Sequence, residues 1–481
     1  ITSIADYISS RYGKNISLGM IVSIFCIIGI IPYIAIQLKA ISASVNLLTG
    51  YANVQQSIFT DSTFYISLGL AFFIIVYGIR NIDTTERHTG VISAIAFESL
   101  VKLVAFVAVG IFVCYFVFDD ITTIFQQAST REVLQNHFTF NQSTTPLSWF
   151  LISFVSALAL LLLPRQFQVS VVENTDIKHV KKALWMFPLY LFLINLFVLP
   201  IAIAGILTFS NGIDFDMLLL HFPIQHHQTA LTLIVFLGGF SAATGMVIVE
   251  IIALTTMISN NLIVPILLSN QGLKNNPIHI GKTILLSRRI GVVLLLLFAY
   301  FFEKIVAENY SLVSIGLISF VAVAQFAPSV LFGIYWKEAT RKAAVASIVT
   351  GFSVWFFTLI LPSLSNGHDA TASIVQHGLF SIAFLKPTSI LLIQGLDSIS
   401  HGIFWSLLLN VMVFVLVSFN TKPSLAEEHQ AHLFVDSLTE DSPYEQSIWK
   451  GITLLKDIKN VLSNFIGFER TKILLEGYAN R

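Results

Sequence analysis

The sequence predicts an all-α, polytopic membrane helix bundle. Three observations carry that prediction: an apolar composition, a succession of hydrophobic runs of bilayer length, and basic residues gathered in alternate connecting segments. Of 481 residues, 55% are hydrophobic and 11% charged, against about 25% charged in a soluble domain. Basic and acidic residues number 27 each, so the basic surplus expected of a nucleic-acid binder is missing. The cysteines, Cys26 and Cys114, lie in apolar runs and read as small hydrophobes rather than a disulfide pair. The chain begins at Ile1 without methionine or signal-peptide pattern and so reads as a piece of something longer.

A span needs about 20 mostly apolar residues, and backbone groups in hydrocarbon must be satisfied within the segment, which makes helix the default. Such runs fall at 16–38, 63–80, 91–118, 147–164, 183–209, 229–257, 290–307, 311–336, 343–362 and 399–419. Short cytoplasmic loops collect Lys and Arg. One set of alternate segments holds Arg11, Lys14, Arg80, Arg87, Arg165, Lys178, Lys181, Lys182, Lys274, Lys282, Arg288, Arg289, Lys337, Arg341 and Lys342. The opposite set holds only Lys39 at a helix edge, Arg131, Lys304 and Lys386. Ten spans result, with both chain ends cytoplasmic. Residues 1–420 form the membrane domain. Beyond Phe419 the chain turns polar with Glu427, Glu428, Asp436, Glu440 and Asp441. Within Ile448–Tyr478, Ile452, Leu455, Ile458, Leu462 and Phe465 recur at helical spacing, so 421–481 reads as a cytoplasmic tail that packs on a partner or frays in solvent.

Ionisable side chains at bilayer depth are costly and need a partner, a water-filled cavity or a helix end. Glu98 and Lys102 are spaced to form an ion pair on one helix face. Glu250 has no basic residue within reach on its own helix; it either meets a partner from another helix, lies at a lipid–water edge, or carries a coupling proton. Gly238, Gly239, Ser241, Ala242, Ala243, Thr244 and Gly245 interrupt the same run with small and hydroxylated residues, suited to close helix packing or to ligating a cation. Pro164, Arg165, Gln166, Phe167 and Gln168 mark either a discontinuous helix at a binding site or a plain helix end. Pro32, Tyr33 and Gln37, and Gln325 with Pro328, mark further polar or kinked points. His221, His226 and His227 read as surface histidines of an external loop.

Several stretches resemble a known family. FAPSVLFGIYWKEATRKAA (Phe326 to Ala344), ITSIADYISSRYGK (Ile1 to Lys14) and YGIRNIDTTERHTGVISA resemble segments of the sodium:solute symporter family, that of the proline and sugar symporters. PYIAIQLKAI, LPRQFQVSVVEN and FLGGFSAATGMVIVE look more narrowly like the transporter domain of CbrA-type sensor histidine kinases, and GITLLKDIKNVLSNFIGFERTKILLEGYANR is similar to the linker that joins it to kinase modules. The resemblance implies a LeuT-type inverted-repeat fold lacking its leading helices, in a bacterial inner (plasma) membrane among lipid. It also implies symport of a small solute, an amino acid such as histidine or proline, coupled to Na+ or H+ without a cofactor. Attached kinase domains and a response regulator are the implied partners. The expected substrate residues are Tyr33, Gln37, Gln166 and Gln325; the expected ion site is Ser241, Ala242, Thr244 and Gly245; Glu250 and Glu98 are the candidates for proton coupling. The alternative is a membrane sensor that binds its ligand without carrying it. No HExxH, GxSxG or clustered Asp pair lies in or beside the spans to suggest an enzyme.

Overall fold

The computed structural model describes residues 1–50, 58–79, 89–131, 134, 145–174, 176–209, 213–269, 277–306, 310–364, 369–390 and 395–436. The chain divides into two compact units, Ile1–Ala431 and His432–Arg481. Arg80, Arg87, Lys274, Glu440, Asp441 and the amphipathic stretch foreseen at Ile448–Tyr478 lie outside the described residues.

The described chain is helical nearly throughout, in the order α1 (Ile4–Arg11), α2 (Ile16–Thr49), α3 (Ser62–Phe73), α4 (Thr89–Phe112), α5 (Ile121–Ser129), α6 (Pro146–Leu162), α7 (Pro164–Phe167), α8 (Ile177–Asn195), α9 (Val198–Thr208) and α10 (Leu218–Gln225). Next come α11 (Thr229–Met257), α12 (Val264–Ser269), α13 (Pro277–Ile305), α14 (Leu312–Ala324), α15 (Ala327–Tyr335), α16 (Arg341–Trp355), α17 (Asp369–His377), α18 (Ser398–Asn420) and α19 (Leu425–Asp436). Among the described residues eight helical segments are long and apolar enough to cross a membrane; the α6 and α7 pair, bent by 48°, makes a ninth if counted as one span, and the stretch expected at 63–80 is the shorter apolar helix Ser62–Gly78. Every apolar run read from the sequence is therefore helical, because apolar side chains in lipid leave the backbone only itself to bond to.

Boundaries moved where tertiary contacts supply partners that a hydropathy window cannot see. The first span, expected to end at 38, continues to Thr49 and stops at Gly50, whose φ of 70° reverses the chain. Lys39 thus lies within α2 rather than at its edge, and its Nζ donates to the Tyr310 carbonyl at 2.7 Å. Pro32 does not break this helix. One turn earlier, a side chain at Gly29 would place its Cβ 2.6 Å from the Cβ of Ala322, so α2 and α14 are in near backbone contact. The helix carrying the span expected to start at 290 begins with Pro277, and its membrane-length segment with Gly281, which puts Arg288 inside a helix rather than in a loop.

The core has two parts. One joins α2, α6, α11, α13, α14, α16 and α18 and contains Cys26; the other joins α4, α5, α9, α10 and the start of α11 and contains Cys114. Both thiols are buried and unbonded. None of the residues of α8 is buried, which leaves Leu184, Trp185 and Phe192 facing outward as an exposed apolar surface.

At one end of the bundle Arg11, 1% exposed, donates to the carbonyls of Gly333 and, at 2.8 Å, Trp336 at the end of α15, while the Tyr12 hydroxyl donates to Ser329 at 2.8 Å. There too Glu427 of α19 accepts from the Arg341 amide at 3.0 Å and packs on Gly13. We call this the basic end. At the opposite end Asp61 caps α3 through the Thr63 amide (3.0 Å) and accepts from Tyr300 (3.1 Å) and Lys304 (2.8 Å) of α13.

Candidate functional site at the broken helix

The run of leucines in α6 ends at Leu163, whose ψ of 132° is extended, the conformation that a following proline favours. Pro164 lacks an N–H and restarts the helix at a new angle, so the sharp bend has a local covalent cause. Of the two readings the sequence left open for this segment, the discontinuous helix is the one observed.

Arg165 is the first side chain beyond the break. The sequence placed it among the loop cations, and the structure corrects that: it is half-buried, its guanidinium carbon lies 5.7 Å from the ring centre of Tyr33, and its charge faces both Glu98 and Glu250. Glu250 is fully buried (0% exposed). Neither of its oxygens has a well-formed hydrogen bond, although the Arg165 backbone amide also faces it. Arg165, the cation in electrostatic reach of it, belongs to another helix, but the two side chains form no ion pair within 4 Å among the described residues.

Glu98 of α4 reaches across to α11, where its carboxyl occupies the space that a side chain at Gly245 would need. Only glycine admits this approach. The expected Glu98–Lys102 ion pair does not close to within 4 Å among the described residues. Glu98 leans toward Gly245 with Lys102 and Arg165 both in electrostatic reach, while Lys102 turns to line a cavity. Tyr33, 7% exposed, donates its hydroxyl to the sulfur of Met246 at 3.4 Å, which ties α2 to α11 beside the charges.

The cavity encloses about 280 Å³ between α2, α4, α8, α10, α11 and α14. Its walls are mostly apolar, with Phe106 and Phe236 among them, and its charged groups are Lys102 and Asp216. Asp216 also accepts the Leu312 amide at 3.0 Å. Along α11 the cavity is lined by Gly238, Gly239 and Ala242; one turn further toward the basic end Gly245 meets Glu98, with Glu250 beyond it. A space of solute size, with Lys102 and Asp216 in its wall, therefore lies one turn along α11 from the point where Glu98 meets Gly245, an arrangement able to hold a small charged or zwitterionic molecule.

Of the residues singled out in the sequence, Tyr33, Glu98, Gly245 and Glu250 converge on Arg165, and Ala242 lines the cavity. Thr244 donates its hydroxyl to the Ser241 carbonyl at 3.0 Å within its own helix. Gln166 is next to Arg165, half-buried, and its carbonyl accepts from Ser170. Gln37 lies one turn beyond Tyr33, also half-buried. Gln325, 0% exposed, belongs to another network: it donates to Val321 and Ser406, both at 3.0 Å, and accepts from Asn410 at 2.9 Å, joining α14 to α18. Asp216 and Met246 carry no site role in the sequence pattern, whereas Arg165 was marked there by its place directly after proline at the end of a leucine run.

No family model matches the chain. It is 24% identical over 358 residues to the uncharacterized symporter YhjB of Bacillus subtilis (strain 168), covering 73% of this chain and 67% of that protein. It is 23% identical over 401 residues to the uncharacterized symporter YodF of the same organism, covering 80% and 73%. Its fold is similar to that of a Na+-coupled sialic acid symporter solved in a substrate-bound, outward-open state, with a TM-score of 0.58 over 88% of this chain and 78% of that one, at 14% identity. The chain is thus a polytopic integral membrane protein with a LeuT-like transporter fold.

Proposed function

We propose that this chain is the membrane core of a symporter, a secondary active transporter in which an ion gradient drives movement of a small solute. The observation that carries the proposal is the group of Glu98, Arg165, Glu250 and Lys102, in electrostatic reach of one another at a broken spanning helix, with Lys102 in the wall of a solute-sized cavity. Charges at bilayer depth persist where they serve a solute or ion path, and broken helices are where such paths run. The names of the two relatives and the shared transporter fold support the same reading.

The solute is a small amino acid, with histidine and proline as the first candidates. Its carboxylate pairs with Lys102, its ammonium with an acid of the cavity or the cluster, and its apolar part packs on Phe106 and Phe236. Two coupling routes are chemically available. Na+ would be held by carbonyls and hydroxyls of the Ser241 to Gly245 stretch; H+ would be carried by Glu250 or Glu98. Solute and ion together stabilise an occluded state, and the gradient drives its return. The membrane is a bacterial plasma membrane, and the basic end is the cytoplasmic one.

Radiolabelled histidine and proline uptake into proteoliposomes, under an imposed sodium gradient and separately under a proton gradient, tests this. Gradient-dependent uptake lost in Glu250→Gln supports it; saturable binding with no uptake under either gradient rejects it. That second outcome would favour a ligand sensor with attached kinase modules, a reading supported by the clamp of Glu427 in α19 on Arg341, through which motion at the basic end could be passed to α19.

A further inference from the structure

Arg288 lies on α13 and is 8% exposed. Its Nε and Nη2 are buried without a hydrogen-bond partner. No carboxylate comes within 4 Å of it among the described residues, and no neighbouring charge offsets its burial. A cation removed from water at this depth without a counter-ion is strongly disfavoured, and an arginine cannot relieve this by losing its proton. The two orphaned nitrogens form one edge of the guanidinium, the edge that grips two oxygens of an oxyanion side by side.

The surroundings match that edge. Gly291 of α13 faces Thr255 and Ile258, with its Cβ position 3.4 and 3.6 Å from their side chains. Because α11 and α13 are consecutive, antiparallel spans, Arg288, one turn back, falls level with Ser259 and the residues after it. These residues form a π-helical turn, Ile258–Ile263, in which the Ser259 hydroxyl and the Asn261 amide nitrogen are likewise buried without partners. The turn is held from the other side: Asn260 donates to the Thr2 hydroxyl at 3.2 Å, and the Asn261 carbonyl oxygen packs on Gly19. The unsatisfied groups are donors or a hydroxyl that can donate, with no acid among them.

We propose that Arg288 and Ser259 form a binding site for a phosphate-class oxyanion, supplied by the head group of an anionic lipid or by free phosphate. Arg288 stands seven residues inside the span that starts at Gly281, about 10 Å along the axis. Lys282 and Arg289 are exposed on the same helix. A head group drawn inward from the basic-end leaflet reaches this level, and basic pockets between spanning helices hold such head groups.

The test uses the purified full chain, delipidated in a zwitterionic detergent, with thermal unfolding followed as phosphatidylglycerol, phosphatidylcholine or inorganic phosphate is added. Loss of a charge-assisted bidentate contact weakens binding roughly tenfold or more. Wild type should therefore be stabilised by phosphatidylglycerol over phosphatidylcholine with an apparent affinity that Arg288→Gln lowers by that factor and Arg288→Lys only partly restores. Stabilisation by inorganic phosphate alone, equally lost in Arg288→Gln, supports the site and assigns the free anion as its source. Ser259→Ala, a milder change, should reduce the same response. Identical responses of wild type and Ser259→Ala together with identical responses of wild type and Arg288→Gln overturn the proposal. So does an Arg288→Met chain more stable than wild type in every condition, which would mark the arginine as an unliganded structural strain.

Discussion

Replacing Arg165 by glutamine removes the cation that faces both Glu98 and Glu250 across the helix break. Breaking a fully buried ion pair costs about 3–5 kcal/mol. Glu250 is fully buried, but Arg165 is only half-buried, and water that reaches its guanidinium screens the attraction. Arg165 also forms no ion pair within 4 Å of either acid among the described residues, so the expected loss for Arg165→Gln is about 1–2 kcal/mol. Glu250→Gln leaves Arg165 still facing Glu98 and should cost about 1 kcal/mol. In the double variant the uncompensated acid is gone, so its loss should fall short of the sum of the two single losses by about 1 kcal/mol. The assay is denaturant unfolding of the four proteins in one detergent, read by tryptophan fluorescence, with solute uptake measured in parallel. If the double variant equals the sum of the singles to within about 0.5 kcal/mol, Arg165 and Glu250 are not charge partners and the geometry of the cluster has been misread.

Gly245→Ala should leave the unfolding free energy within about 0.5 kcal/mol of wild type, because the flexible Glu98 side chain can swing aside; solute uptake should nevertheless fall sharply, since that carboxyl leaves the cluster. At Gly29 the obstacle is the backbone-anchored methyl of Ala322, so Gly29→Ala should lower stability by about 1–3 kcal/mol in the same unfolding assay. Gln325→Leu removes three hydrogen bonds at the junction of α14 and α18 and should cost about 2 kcal/mol, with solute affinity unchanged in a binding isotherm if that glutamine serves packing alone. Asp61 gives the pH dependence. Burial pushes its carboxyl up, but hydrogen bonds from Lys304, the Thr63 amide and Tyr300 outweigh that and hold it below the usual 3.8. A depressed folded value means that the stabilisation is complete above the unfolded value and is lost as pH falls through the lower folded one. Wild type should exceed Asp61→Asn by about 1 kcal/mol at neutral pH, and the gap should close only below about pH 4 in a pH series of unfolding curves.

Membrane class, helical structure and the position of nearly every span were legible in the sequence because each depends on a local sum. Some twenty consecutive apolar residues partition into lipid whatever lies elsewhere in the chain, and lipid then leaves the backbone one way to bond. The same local accounting picked out Glu98, Glu250, Tyr33 and Gly245, since an acid, a phenol or a glycine within an apolar run is visible by contrast. What they do to one another depends on contacts far apart in the chain, and these only the tertiary structure decided. The bend at Leu163 and Pro164 turned Arg165 from an apparent loop cation into a half-buried one in electrostatic reach of two acids on different helices. The missing side chain at Gly245 drew Glu98 across to α11, leaving Lys102 to line the cavity instead of pairing. Tyr310 received the Lys39 ammonium and let α2 run on past its expected end. Hydropathy is additive along the chain, whereas the energy of a buried charge is set by whichever helix supplies its partner.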